Sequence, residues 1–124
     1  MRPHLVASAY FGIQAGSVAI WWAALFGWPW TRTLFFPSES LDSTQLLFAT
    51  ADCLVMVPAS IVASRLAYMR SPSARPASWF AAGCCAYAAL ATVGWAIHAP
   101  LPLLSPVLML LTAAASAYCA NQII

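Results

Sequence analysis

The sequence predicts an all-α fold, an integral membrane antiparallel four-helix bundle, and two observations carry that prediction. Of 124 residues, 63% are hydrophobic and only 6% are charged, whereas soluble domains carry about 25% charged side chains. A water-soluble fold built from this chain would lack a surface. The apolar residues also fall into four stretches separated by short clusters of proline, serine and arginine, and each reaches the roughly 20 residues that cross a ~30 Å hydrocarbon core.

Helix 1 is expected over about residues 5–28, helix 2 over 43–68, helix 3 over 78–98 and helix 4 over 106–124, within a single domain spanning 1–124. Pro29 and Pro37 bracket the first loop, Ser71 to Pro76 form the second, and Ala99-Pro100-Leu101-Pro102 opens the third. Proline ends helices because it lacks the N–H donor and clashes with the preceding turn. Ser105 before Pro106 reads as an N-cap and first-turn pair that restarts the chain as helix 4, and Asp42 stands where a cap for helix 2 is needed. The first stretch, Leu5 to Trp28, exceeds the apolar region of a signal peptide and has no small-residue cleavage site, so it reads as a membrane anchor.

The chain has no lysine. Arg2, Arg65, Arg70 and Arg75 fall on one side of the predicted membrane, and Arg32, with Glu39 and Asp42, on the other. The positive-inside rule then predicts a multi-pass protein with both termini cytoplasmic. Trp28, Trp30 and Trp79 suit the aromatic belts at the two borders. So few cations exclude nucleic acid as a partner, since phosphate neutralisation needs a basic patch.

Cys53, Cys84, Cys85 and Cys119 all lie in apolar stretches, which excludes a secreted disulfide framework. Cys84, Cys85 and Cys119 share a level and form the one candidate thiol set for a soft metal. Successive helical residues point ~100° apart, however, and neither a metal site nor a cofactor is expected. His4 and His98 belong to opposite ends of the bundle. No Ser-His-acid or Cys-His set shares a membrane depth, so no catalytic residue is assigned.

In lipid, helices associate through small residues and hydrogen bonds. Gly12 and Gly16 form a GxxxG step in helix 1; Ala59, Ala63 and Ala67 step along helix 2, Ala82 and Ala86 along helix 3, and Ala113 and Ala117 along helix 4. These serve the bundle itself or, for GxxxG, a homodimer.

Asp52 is the most informative residue. Counting from Ser43, nine residues place it ~14 Å into the membrane, and Gln14, counted from Leu5, reaches a similar depth from the other side, so a hydrogen-bonded pair is expected. An acid in the membrane normally faces a bundle interior or a watery cavity. At helical spacing, Tyr10, Gln14, Ser17 and Trp21 share one face of helix 1, and Asp52, Met56, Ser60 and Ala63 one face of helix 2. Tyr87, Gly94 and His98 line up on helix 3, and Thr112 and Ser116 on helix 4. Two readings stay open: a pocket containing one ionisable group, or a hydrogen-bonded acid that ties helices together. Pro58 leaves the carbonyl of Leu54 without its helical partner and should disturb helix 2, which suits a cavity.

The four-helix layout, the acid-bearing first loop and Asp52-Cys-Leu-Val-Met-Val-Pro58 resemble the emopamil-binding-protein-like (EXPERA) superfamily. The resemblance implies an intramembrane cavity for sterols or amphiphilic amines, with Asp52 as the group facing a cation or hydroxyl. Sterol-isomerising members use a histidine and carboxylates there. This chain instead offers Gln14 and Tyr87, which implies binding rather than isomerisation.

The sequence thus points to a membrane protein embedded in the bilayer that binds a lipid or an apolar or amphiphilic small molecule near Asp52 and Gln14. The candidate ligand-binding residues are Asp52, Gln14, Tyr10, Ser17, Trp21, Met56, Ser60, Tyr87 and His98. A non-catalytic subunit or assembly factor of a larger membrane complex is the second reading. The third is a small proton-coupled transporter, although very small multidrug carriers place their acid in helix 1, where this chain has Gln14.

Overall fold

The computed structural model describes residues 3–38, 40, 42–99 and 102–123, and within them every regular element is helical. Four helices are long and apolar enough to cross a membrane: helix 1, Pro3–Gly27; helix 2, Ser43–Tyr68; helix 3, Ala74–His98; and helix 4, Leu104–Asn121. Large side chains such as Ile20, Leu54, Leu90 and Ile97 remain more than two-thirds exposed, which only a lipid solvent accommodates on this scale. The chain is a multi-pass membrane protein with an antiparallel bundle architecture.

Two helices start earlier than expected. Helix 3 begins at Ala74 behind Ser73, and helix 4 at Leu104 behind Leu103, so Ser105 is not its cap. Pro76 and Pro106 each occupy the third helical position. The first N–H groups of a helix have no intrahelical acceptor, so proline costs no hydrogen bond there. Helix 2 starts as expected, with the Asp42 carboxylate accepting from the Gln45 backbone N–H at 2.8 Å.

Helix 2 departs from regularity at one place. Asp52–Met56 forms a π turn in which the Val57 N–H reaches back to the Asp52 carbonyl, directly before Pro58. Proline cannot donate to the carbonyl four residues back, and the chain accommodates this by widening one turn. Asp52 therefore sits at an irregularity of the kind often found at functional sites.

Helix 1 packs mainly on the second half of helix 2, and helix 4 mainly on helix 3, while helices 1 and 4 touch over a much shorter stretch. At the end holding both termini the contacts are close, because the facing residues are small: Ala63, Ala67, Ala74, Ala81 and Ala120 have no exposed surface. Gly12 belongs to this packing, since a Cβ there would stand 3.2 Å from Ser64 Oγ. Gly16 meets nothing within 4 Å, so the GxxxG pair does not act as one surface within the bundle. Of the helix 3 step, Ala82 is buried and Ala86 exposed.

The far end is closed by aromatic residues. After helix 1 the chain forms a short 3-10 helix, Pro29–Leu34, and returns Phe35 and Phe36 to the bundle, where both rings pack on Trp21. Phe36 also stacks near Trp22 and Trp95, and Phe48 on Trp95. Arg32 fastens this loop by donating from Nε to the Leu25 carbonyl at 2.6 Å, one of the carbonyls that a helix end leaves unpaired.

Candidate functional site

Two layers of hydrogen-bonded polar groups are buried between the helices. Gln14, at the midpoint of helix 1, is the centre of the first. Its Nε2 donates to Ser60 Oγ of helix 2 and to Cys85 Sγ of helix 3, both at 3.0 Å. Its Oε1 lies 2.8 Å from the Ser116 hydroxyl of helix 4, so one amide joins all four helices. Ser116 lies also 2.7 Å from the Thr112 carbonyl, and its one proton serves one acceptor at a time. The Tyr10 hydroxyl reaches the same carbonyl at 2.9 Å and Ser116 Oγ at 3.0 Å. Donors and acceptors are matched here, as buried polar groups require.

Asp52 forms the second layer. Its Oδ2 accepts from the Trp22 indole N–H at 2.8 Å, and the residue is 5% exposed. The expected Asp52–Gln14 bond is not made. Gln14 pairs instead with Ser60, eight residues beyond Asp52, which separates the two layers by about 12 Å along the bundle. The depth expectation fails because counts of nine residues inward from opposite ends meet only in a shorter span, whereas helices 1 and 2 run for 25 and 26 residues. Asp52 faces Thr92 near the end of helix 3 and Ser105 in the first turn of helix 4, which places it in the far half of the bundle rather than at its centre.

A groove of about 330 Å³ runs beside both layers between helices 1 and 4. Tyr10, Gln14, Ser17 and Trp21 line it from helix 1, and Asp52 and Met56 form its floor. Ser105, Leu108, Met109 and Thr112 supply the helix 4 wall, and Phe35 closes it beside Trp21. Its outward side is open, as the exposure of Ile13, Ser17 and Leu108 shows. A smaller space of about 20 Å³ lies between Asp52, Thr92, Ser105 and the aromatic plug, large enough for one water molecule.

Most of the residues singled out from sequence thus meet in one place. Ser60 lies beneath the groove as a partner of Gln14. Tyr87 and His98 do not join them: Tyr87 is 76% exposed and His98, the last residue of helix 3, is exposed as well. The buried face of helix 3 runs through Ser78, Ala81, Cys85, Ala88 and Thr92 instead. Among the described residues no three His, Cys, Asp or Glu side chains converge as metal ligands; Cys85 is engaged by Gln14.

Sequence reasoning passed over Trp22 and the Phe35-Phe36 pair. A signal for Trp22 exists: Phe11, Ala15, Trp22 and Leu25 are buried at helical spacing, a second apolar stripe beside the Tyr10–Trp21 face. Nothing local marks Phe35 and Phe36, whose burial depends on a loop folding back. Comparison with known protein families, curated sequences and solved structures finds no match for this chain.

Proposed function

We propose that this protein binds an apolar or amphiphilic small molecule or lipid in the groove between helices 1 and 4, with Asp52 as the polar contact. The observation that carries this reading is a carboxyl group on the floor of an apolar, laterally open groove of about 330 Å³, within the roughly 300–1,000 Å³ of small-molecule sites. An acid held in a membrane protein by a single indole donor is otherwise an expensive way to join two helices. The resemblance of Asp52 to Pro58 to the EXPERA pattern supports the same reading. Arg65, Arg70 and Arg75 near the end that holds the termini support a cytoplasmic location for that end.

Native mass spectrometry of the chain extracted in a mild detergent tests the proposal. Wild type is expected to carry a bound small molecule, and Asp52→Asn to lose it, because asparagine still accepts from Trp22 but has no charge to offer. Equal retention by both proteins refutes the assignment to Asp52. A second reading, a subunit of a larger membrane complex, is favoured by the shallow apolar surface of Leu54, Val55, Val62 and Phe80 on helices 2 and 3. Partner chains that stay bound through the same extraction would support it.

A further inference from the structure

Resting on the ligand-binding reading above, we infer that the occupant of the groove is an elongated amphiphile, its hydroxyl-bearing head at Asp52 and Ser105 and its hydrocarbon tail running toward Tyr10. The shape of the groove carries the first part. It follows helix 1 from Trp21 to Tyr10, eleven residues and therefore about 16 Å, with Asp52 and Ser105 toward one end and Tyr10 and Thr112 at the other. Ile13, Val18, Met56, Leu108 and Met109 line its run and offer an apolar bed for a hydrocarbon body. The length suits roughly 13 bonds of an extended chain.

The distribution of unused hydrogen-bonding capacity sets the direction. At the Tyr10 end the polar atoms are already engaged: the Tyr10 hydroxyl with Thr112 and Ser116, and both ends of the Gln14 amide with the three other helices. To a ligand this end is an apolar wall. At the other end, Asp52 accepts one hydrogen bond although a carboxylate has about four acceptor sites, and the buried Ser105 hydroxyl bonds no described residue. An acceptor beside a hydroxyl matches a head that both donates and accepts. The exposed middle of the groove at Ile13, Ser17 and Leu108 gives the tail a lateral entrance from the bilayer.

Photolabelling of the full chain in lipid nanodiscs tests this, using two 14-carbon monoacylglycerols with a diazirine beside the head or at the last chain carbon. The head-proximal probe is expected to mark peptides containing Trp21 or Ser105, and the terminal probe those containing Tyr10 or Thr112. Unlabelled monoacylglycerol should compete several-fold. Asp52→Asn should weaken head-proximal labelling several-fold, and Ser17→Leu, which fills the trough from an exposed position, should displace the terminal label. Reversed label positions overturn the inference. That result leaves the ligand-binding reading standing. Labelling no stronger than at outward-facing Leu54 and Leu90 defeats both.

Discussion

Gln14→Leu removes three hydrogen bonds at once, and the structure allows its cost to be worked out. The lost bonds are those to Ser60, Cys85 and Ser116. Interhelical hydrogen bonds in membrane proteins average about 0.6 kcal/mol each, which sums to about 2 kcal/mol. Burial without partners would add to this, but the orphaned groups have fallbacks. Ser116 already lies 2.7 Å from the Thr112 carbonyl, Ser60 can turn to a carbonyl one helical turn back, and a cysteine thiol is a weak partner. Leucine is similar in volume and apolar. The expected loss is therefore about 1–2 kcal/mol, or roughly 5–30-fold in the unfolding equilibrium. Reversible unfolding in mixed micelles measures it, and a cycle with Ser116→Ala should show non-additivity, since the two changes remove one shared bond. A loss above about 4 kcal/mol, or strict additivity, would refute the account of Gln14 as a locally replaceable tie.

Other substitutions separate the roles of individual contacts. Trp22→Phe keeps the ring in the aromatic plug but removes the donor to Asp52, and should cost about 1–2 kcal/mol in the same unfolding assay. Gly12→Ala brings a methyl within 3.2 Å of Ser64 Oγ and should destabilise, while Gly16→Ala, with nothing within 4 Å, should be neutral or gain up to about 1 kcal/mol from helix propensity; equal effects would contradict the packing described. Arg70 has φ 51° and closes helix 2 by a Schellman motif, with Ser71 N–H on the Leu66 carbonyl and Arg70 N–H on that of Ala67. Arg70→Gly should therefore raise the midpoint of thermal unfolding slightly, by up to about 1 kcal/mol in stability, since glycine adopts that conformation freely.

The parts of the site that were legible are those governed by helical period. The Tyr10–Trp21 and Asp52–Ala63 faces follow from residues three and four apart; the structure buries the second and sets the first along the groove, with Ser17 exposed. Depth was not legible, because it depends on where each helix begins relative to its neighbours. The partners of Gln14 lie 46, 71 and 102 residues away, and no local pattern encodes such contacts. Helix 3 misled for a different reason: with alanine, glycine or cysteine at most positions near Tyr87, several faces look equally suited to burial. The starts of helices 3 and 4 were misplaced because Pro76 was read as part of the loop and Pro106 as the first helical residue, although a proline is accommodated throughout the first turn, which has no use for its missing donor.

The groove follows from how side-chain size is distributed along the bundle. Without a hydrophobic drive between helices, close approach depends on small facing residues, and these are concentrated toward the termini, where Ala7, Ala63, Ala67, Ala81 and Ala120 are buried. Toward the far end the buried positions pass to Met56, Trp22, Leu25 and Phe36, which hold the backbones apart. Helices 1 and 4 therefore meet at Tyr10 and Ser116 and separate beyond them. The Gln14 layer stands where the close-packed half ends and fixes the register of all four helices there. Asp52 lies in the wider half, where a carboxyl group can be both shielded from lipid and left with acceptor capacity to spare. The two buried polar centres thus differ because their local packing differs: one is saturated by its neighbours and holds the bundle together, and the other keeps unused acceptor capacity beside the groove, which is what the proposed ligand would meet.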